Sequence, residues 1–133
     1  MQRLMGGQMI SKGSSYRRLY RALEDQGILI IIIDAPPGRG DARAQVPFLG
    51  GRLTISPGAL RLAEKSGAAV VPYFALETAN GLEGHIQPQL DLSGLGQDQA
   101  LAAMFAPLEA LVREHPEQWL WYHDRWRAAG TRG

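Results

Sequence analysis

The apolar residues of this chain recur with two spacings, one helical and one strand-like, which alternate along the sequence. A first helix is predicted where four apolar residues share one face, namely Tyr16, Leu19, Tyr20 and Leu23. Ser14 or Ser15 can cap this helix, and Gly27 is placed to end it. The run ILIIIID follows at once, at residues 28–34. Because it is apolar on both faces, we expect a central parallel strand buried between two layers.

Two later helices are predicted with well-marked ends. Ser56 as the cap and Gly67 after the last residue indicate a helix over residues 57–66, with Pro57 at its first position. Apolar residues at helical spacing indicate an amphipathic helix over residues 97–114, which tolerates Pro107.

Strand-like runs lie between these helices. Residues 68–76 predict a second buried strand, which Pro72 either confines to a sheet edge or bends. We expect residues 28–33 and 69–74 to be neighbouring strands of one sheet. The dipeptide Asn80-Gly81 predicts a hairpin in which residues 82–90 return antiparallel.

These elements predict an α/β fold class, with a layered helix-sheet-helix arrangement around a mixed, mainly parallel sheet. With 133 residues and 45% hydrophobic residues, the chain is long and apolar enough to bury one core. We therefore expect a single domain over residues 14–127, a loose segment over residues 1–13 and a flexible tail over residues 128–133.

Composition excludes several classes of protein. A formal net charge of +1 does not indicate nucleic-acid binding. The absence of cysteine excludes a disulfide framework and zinc sites built on thiolates. The longest apolar run, residues 28–33, is far shorter than the roughly 20 residues of a membrane helix. Only two of the 14 basic residues are lysines, and arginine suits bidentate contact with phosphate, although a GC-rich genome produces the same bias.

Asp34 is the first candidate for a functional site, because ligands of open α/β sheets bind beyond the carboxyl ends of strands. The loop that follows is rich in proline and glycine and carries Arg39 and Arg43. The alternative is that Asp34 caps a turn and that both arginines are solvated. The GRG sequence of this loop lacks the spacing of a dinucleotide fingerprint. Pro116 favours an extended backbone at His115, so we expect no metal site there.

The stretch HPEQWLWYHDRWR, residues 115–127, contains all three tryptophans of the chain. One interpretation is an aromatic segment that seals a small core. The order of residues, however, resembles the carboxy-terminal signature of the bacterial lipid A late acyltransferases, the lauroyl and myristoyl transferases of the lysophospholipid acyltransferase superfamily. Three further segments match in order: the strand that ends at Asp34, VPFxG at residues 46–50, and GALRLAEKSGAAVVPYF at residues 58–74. Asp124 departs from the pattern where a basic residue is common, and Ala35 departs where glutamine is usual.

The resemblance implies a partial glycerolipid-acyltransferase-like fold and transfer of a fatty acyl group from acyl carrier protein or acyl-CoA to a hydroxyl of a lipid A precursor or related glycolipid. It implies peripheral contact with the cytoplasmic face of the bacterial inner membrane, or a soluble cytoplasmic protein if the fragment stands alone. Nucleic acid, cofactors and metals are not expected. Asp34 is expected to be a supporting acid of the site. The substrate-binding residues that the resemblance indicates are Arg39, Arg43, Phe48, Pro72, Phe74, His123, Arg125 and Arg127.

One family motif does not occur in the sequence. In His-x-x-x-x-Asp/Glu, the carboxylate orients a histidine that acts as general base. The residues five positions after His85, His115 and His123 are Leu90, Leu120 and Ala128. The chain therefore resembles a truncated or split member of the family, and we expect no turnover from it alone. The alternative is a non-catalytic lipid-binding or interaction module.

Overall fold

A computed structural model describes Gly7, Ile10, residues 16–119 and Trp121. The chain divides into two compact units, Met1–Ile30 and Ile31–Gly133. The described elements are α1 Tyr16–Glu24, β1 Ala44–Phe48, β2 Gly51–Ile55, α2 Gly58–Ser66, β3 Tyr73–Thr78, β4 Gly81–Ile86, α3 Gln97–Glu114 and a 3₁₀ turn at Pro116–Gln118. The fold is mixed α/β. No helix in this described part is both long enough and apolar enough to cross a membrane.

In the unit Met1–Ile30, α1 confirms the predicted first helix and ends in a Schellman motif. The N–H of Gln26 donates to the Leu23 carbonyl at 3.1 Å, and the N–H of Gly27 donates to the Ala22 carbonyl at 2.9 Å. The left-handed residue is Gln26, with φ of 61°. Gly27 is needed for a different reason, because a Cβ at that position would collide with the carbonyl oxygen of Ala22.

In the unit Ile31–Gly133, strands β1 and β2 form an antiparallel hairpin that supplies much of the core. The turn between them has positive φ at both of its residues, 50° at Leu49 and 79° at Gly50. Such a turn matches the twist of two paired strands. The side chains that the hairpin buries are Val46, Phe48, Leu53 and Ile55, each at most 2% exposed. The sequence pattern predicts no strand in this region.

Helices α2 and α3 pack in the same core as the hairpin. The predicted helix over residues 57–66 is confirmed as α2, which begins one residue later and ends at Gly67 with φ of 68°. The helix predicted over residues 97–114 has the bounds of α3. In α3, Leu101 and Phe105 are each 1% exposed, and the Phe105 ring stands perpendicular to that of Phe48 with centroids 6.3 Å apart.

Strands β3 and β4 form the second hairpin, which confirms the prediction from Asn80-Gly81. Their register runs from Tyr73 opposite Ile86 to Thr78 opposite Gly81. The regular strand β3 begins only after Pro72. Hydrogen bonds between the two arms of the hairpin nevertheless continue on the amino-terminal side of β3. The N–H of Gln87 donates to the carbonyl of Pro72 at 2.9 Å.

The described residues do not contain the mainly parallel sheet that the sequence predicted. Both sheets are two-stranded and antiparallel. Residues 28–33 form no strand, and the side chains of Ile28, Ile30 and Ile32 are 91%, 81% and 75% exposed. A central parallel strand needs a neighbouring strand on each edge and a helix on each face. The described chain supplies local hairpins instead, so the prediction of a buried strand at residues 28–33 is wrong for this structure.

Candidate functional site

A cavity of about 240 Å³ lies between β3 and the carboxy-terminal half of α3. Residues 73–76 of β3 form one wall. The facing wall consists of three aliphatic side chains from α3, namely Leu108, Leu111 and Val112. All of these residues belong to the unit Ile31–Gly133. The two walls make this β3–α3 cavity a largely apolar site.

Polar groups reach the β3–α3 cavity from three residues outside its walls: Asp34, His115 and Gln118. Asp34 is half-buried and follows the run of residues 28–33 directly. His115 lies at the end of α3, where its N–H donates to the carbonyl of Leu111 at 2.8 Å. A mostly apolar pocket with a few convergent polar groups is the usual form of a small-molecule site.

The imidazole of His115 lies between two carboxylates. Its Nδ1 is 3.6 Å from Oε1 of Glu117, and its Nε2 is 3.9 Å from Oε1 of Glu114. Both distances exceed a hydrogen bond, so neither acid fixes the orientation of the ring. The side chain of His115 is 34% exposed. The cavity therefore has a polar end that water can reach.

Gln118 joins the segment after α3 to the outer edge of β3. Its Oε1 accepts the N–H of Glu77 at 2.8 Å, and its Nε2 donates to the carbonyl of Glu77 at 3.0 Å. One amide side chain thus makes the pair of hydrogen bonds that a neighbouring strand would make. These two bonds connect residues 41 positions apart in sequence, and they fix one side of the cavity.

Trp119 completes the lining and connects the cavity to the core hairpin. Its ring lies 5.7 Å from that of Phe48, measured between centroids. Phe48 in turn contacts Phe105 of α3. The three aromatic rings are therefore in contact one after another, and Trp119 is the one that lines the cavity. This contact gives Phe48 a packing role, since its own side chain is only 1% exposed and does not line the cavity.

Glu109 follows Leu108, a residue of the cavity wall, in α3. Its carboxylate contacts Arg113 in the last turn of the same helix and Leu49 in the first hairpin. Arg113 donates from Nη2 to Oε1 of Glu109 at 2.7 Å. This side-chain hydrogen bond is the main cause that lowers the pKa of the Glu109 carboxyl below 4.5. Burial opposes the shift, and a backbone hydrogen bond from Leu49 supports it. The Leu49 contact places a charged acceptor against the turn between β1 and β2.

The predicted site residues lie in several places. Asp34 and Phe74 line the β3–α3 cavity, whereas Arg39 and Arg43 are exposed in the loop after Asp34 and do not line it. Pro72 is half-buried immediately before β3. Phe48 lies in the core. His123, Arg125 and Arg127 lie outside the described residues, so their roles stay predictions.

His115 and Gln118 line the cavity, although neither was among the predicted site residues. Gln118 belongs to the PEQW sequence that the family resemblance includes, and His115 directly precedes that sequence. The sequence motif indicates that Gln118 is functionally important, but it does not indicate where the side chain lies. Its hydrogen-bond partner, Glu77, belongs to a strand that is distant in sequence. Among the described residues, no group of three or more histidine, aspartate or glutamate side chains could hold a metal ion.

A model of the bacterial lipid A biosynthesis acyltransferase family matches residues 2–128. This chain belongs to that family. The match covers all of the β3–α3 cavity and confirms the resemblance drawn from the sequence motifs. No curated protein matches the chain. Membership of the family implies two general substrates, an acyl donor and a lipid acceptor.

Proposed function

We propose that this chain binds the fatty acyl group during its transfer from acyl carrier protein or acyl-CoA to a hydroxyl of a lipid A precursor or related glycolipid. The observation that carries the proposal is the β3–α3 cavity, with aliphatic walls and polar groups at Asp34, His115 and Gln118, in a member of an acyltransferase family. Because the acceptor is a membrane lipid, the reaction belongs at the cytoplasmic face of the bacterial inner membrane.

The size and chemistry of the cavity fit part of an amphiphilic substrate. Pockets that enclose a whole drug-sized ligand measure about 300 to 1,000 Å³. At about 240 Å³, the β3–α3 cavity holds a segment of an acyl chain rather than a complete lipid. Each methylene that enters it from water contributes about 0.8 kcal/mol. The polar side chains are suited to face the carbonyl or hydroxyl end of the substrate.

Binding is tested with a fluorescent medium-chain fatty acid and the full chain. Leu111→Trp introduces a large side chain into the cavity wall and should weaken binding by about tenfold, because about two methylenes of the probe lose their apolar contact. Leu82→Trp is the matched control, since Leu82 is 77% exposed on β4 and does not line the cavity. Equal affinity of the two variants would show that the probe binds elsewhere.

The catalytic base is a separate question from binding. No histidine in the sequence is followed by Asp or Glu at the spacing of the family motif. General-base assistance typically accounts for about 10² to 10⁴ in rate. We therefore expect the purified chain to bind the acyl probe but to show no turnover with an acyl carrier protein donor and a lipid A precursor. Turnover that His115→Ala or His123→Ala abolishes would place the base in this chain.

The second candidate, a non-catalytic lipid-binding module, is favoured by the same combination of a cavity and a missing motif. Adding a family segment that carries His-x-x-x-x-Asp/Glu separates the two proposals. Restored turnover supports a role in acyl transfer, and binding without restored turnover supports the module.

A further inference from the structure

The outer edge of β3 carries peptide groups that the hairpin does not use. In an antiparallel pair, successive residues of a strand direct their N–H and C=O groups alternately toward the partner strand and away from it. The carbonyl of Pro72 accepts from Gln87 on the β4 side, whereas both peptide groups of Glu77 bond to Gln118 on the opposite side. By this alternation, Tyr73 and Ala75 also direct their peptide groups away from β4. Within the described part of the chain, no hydrogen bond to these groups of Tyr73 or Ala75 is found.

This outer edge runs along the β3–α3 cavity, because Tyr73 and Ala75 line it. The outward peptide groups of these residues are about 7 Å apart, two residues along an extended strand. Gln118 shows what this edge accepts, since its amide pairs with the next outward residue, Glu77, at 2.8 and 3.0 Å. A ligand that lies here can therefore bond through amides to the strand and bury methylenes against Leu108 and Leu111.

We propose that the phosphopantetheine arm of the acyl donor lies along the outer edge of β3 and pairs its amides with the peptide groups of Tyr73 and Ala75. The inference rests on the proposed function, which supplies an acyl thioester as donor. The arm carries two amides joined by two methylenes, with no side chain between them. An ordinary peptide would pair with the same edge. Its side chains would have to fit between β3 and α3, where the cavity is only about 240 Å³.

The first test uses the full chain and two thioesters of the same fatty acid, measured by isothermal titration calorimetry. Dodecanoyl pantetheine should bind about tenfold more tightly than S-ethyl dodecanethioate, as expected from one to two net hydrogen bonds. Methylation of the amide nitrogen nearest the thiol should remove most of this preference. Equal affinities would overturn the inference and leave the proposed function intact. If neither thioester binds, the proposed function fails with it.

A variant tests the strand edge itself. Ala75→Pro removes the outward N–H of Ala75 without removing a hydrogen bond of the hairpin, and proline is tolerated where a strand N–H faces outward. The ratio of the affinities for dodecanoyl pantetheine and S-ethyl dodecanethioate should fall to near one, whatever effect the substitution has on the affinity that the two thioesters share. Ala75→Val keeps the N–H and should keep the preference. A full preference in Ala75→Pro would overturn the inference. If this variant does not fold, the methylated ligand on the wild-type chain decides.

Acyl carrier protein and coenzyme A both supply this arm, and competition distinguishes them. Bound dodecanoyl pantetheine is titrated with coenzyme A in one experiment and with the holo form of acyl carrier protein in another. Displacement by either competitor supports the inference, and the competitor that binds more tightly is identified as the carrier that supplies the arm. Displacement by neither overturns it.

Discussion

The run at residues 28–33 is more hydrophobic than the β1–β2 hairpin at residues 44–55, yet the hairpin forms the core. Ile28 and Ile30 are 91% and 81% exposed. In the hairpin, Val46 and Phe48 are at most 1% exposed, although the same hairpin also contains the less hydrophobic residues Pro47 and Arg52. Burial in this structure therefore does not follow the hydrophobicity of a segment.

The difference lies in where each segment finds its hydrogen-bond partners. The strands of the hairpin satisfy one another across a turn of two residues, Leu49 and Gly50. Phe105 of α3 then covers part of the apolar side chains that the hairpin presents to the core. A strand that is apolar on both faces needs partners along both edges and layers above and below it. In the described part of the chain no strand pairs with residues 28–33.

The largest expected effect compares one residue from each segment. Phe48→Ala should destabilise the protein by about 3 to 5 kcal/mol, because it opens a cavity between Phe105 and Trp119. Ile30→Ala should cost less than about 0.5 kcal/mol, since its side chain already meets water. Urea denaturation of both variants, followed by tryptophan fluorescence and by far-UV circular dichroism, measures the difference.

A large effect at residues 28–33 would reverse the comparison. Ile31, which is 43% exposed, is the sharpest probe. A buried unpaired charge costs several kcal/mol, so Ile31→Asp would unfold a protein in which this run is a central strand. In the structure described here the variant should remain folded. Loss of the folded state would restore the strand that the sequence predicted.

The second prediction concerns the turn that closes the hairpin. Gly50→Ala should destabilise the protein by about 1 to 2 kcal/mol, because an ordinary side chain disfavours the left-handed backbone that Gly50 adopts. A collision is not the cause, since a Cβ at Gly50 meets nothing within 4 Å. Gly50→Asn should cost less, because asparagine tolerates this backbone. Equal costs for alanine and asparagine would show that the turn is not held in this conformation.

Elements with clear ends could be predicted from the sequence. Gly67 marked the end of α2, and Asn80-Gly81 marked the second hairpin. The sequence does not predict the first hairpin, because Pro47 between Val46 and Phe48 weakens the pattern of a strand. The run at residues 28–33 was assigned wrongly, since its burial depends on partners that local sequence does not specify.

The candidate site was predictable to a smaller extent. Asp34 and Phe74 were proposed from the sequence and both lie at the β3–α3 cavity. The contribution of Gln118 could not be predicted, because its partner Glu77 is 41 residues away and only the fold brings them together. A motif identifies residues that matter, whereas the contact that explains them requires the tertiary structure.

The third prediction removes a polar group from the hairpin core. Thr54 is 6% exposed, and its hydroxyl has no hydrogen-bond partner among the described residues. Thr54→Val keeps the shape of the side chain and should stabilise the protein by about 1 kcal/mol. Thr78→Val is the control, since its hydroxyl bonds to Gly81 and Glu83, and that variant should be destabilised. A destabilised Thr54→Val would mean that the hydroxyl has a partner.

The smallest expected effect depends on pH and tests the contact between α3 and the hairpin turn. The hydrogen bond from Arg113 lowers the pKa of Glu109 in the folded state below 4.5. The resulting stability is present above that ordinary pKa and is lost as the pH falls through the lowered, folded value. Because the pair is near the surface, Glu109→Gln should cost only about 0.3 to 0.5 kcal/mol at neutral pH.

The Glu109→Gln variant and the wild type should therefore differ in melting temperature at pH 7 and converge as the pH falls through the lowered pKa of Glu109. Glu64→Gln, at an exposed position of α2, is the control and should leave the melting temperature unchanged at both pH values. A difference that persists at low pH would mean that Glu109 contributes through packing rather than charge. A difference in stability well above 0.5 kcal/mol at neutral pH would instead show that the hydrogen bond from Leu49 contributes more than a surface ion pair does. That result would support the view that the turn between β1 and β2, rather than the hydrophobicity of the segment, makes this hairpin the core.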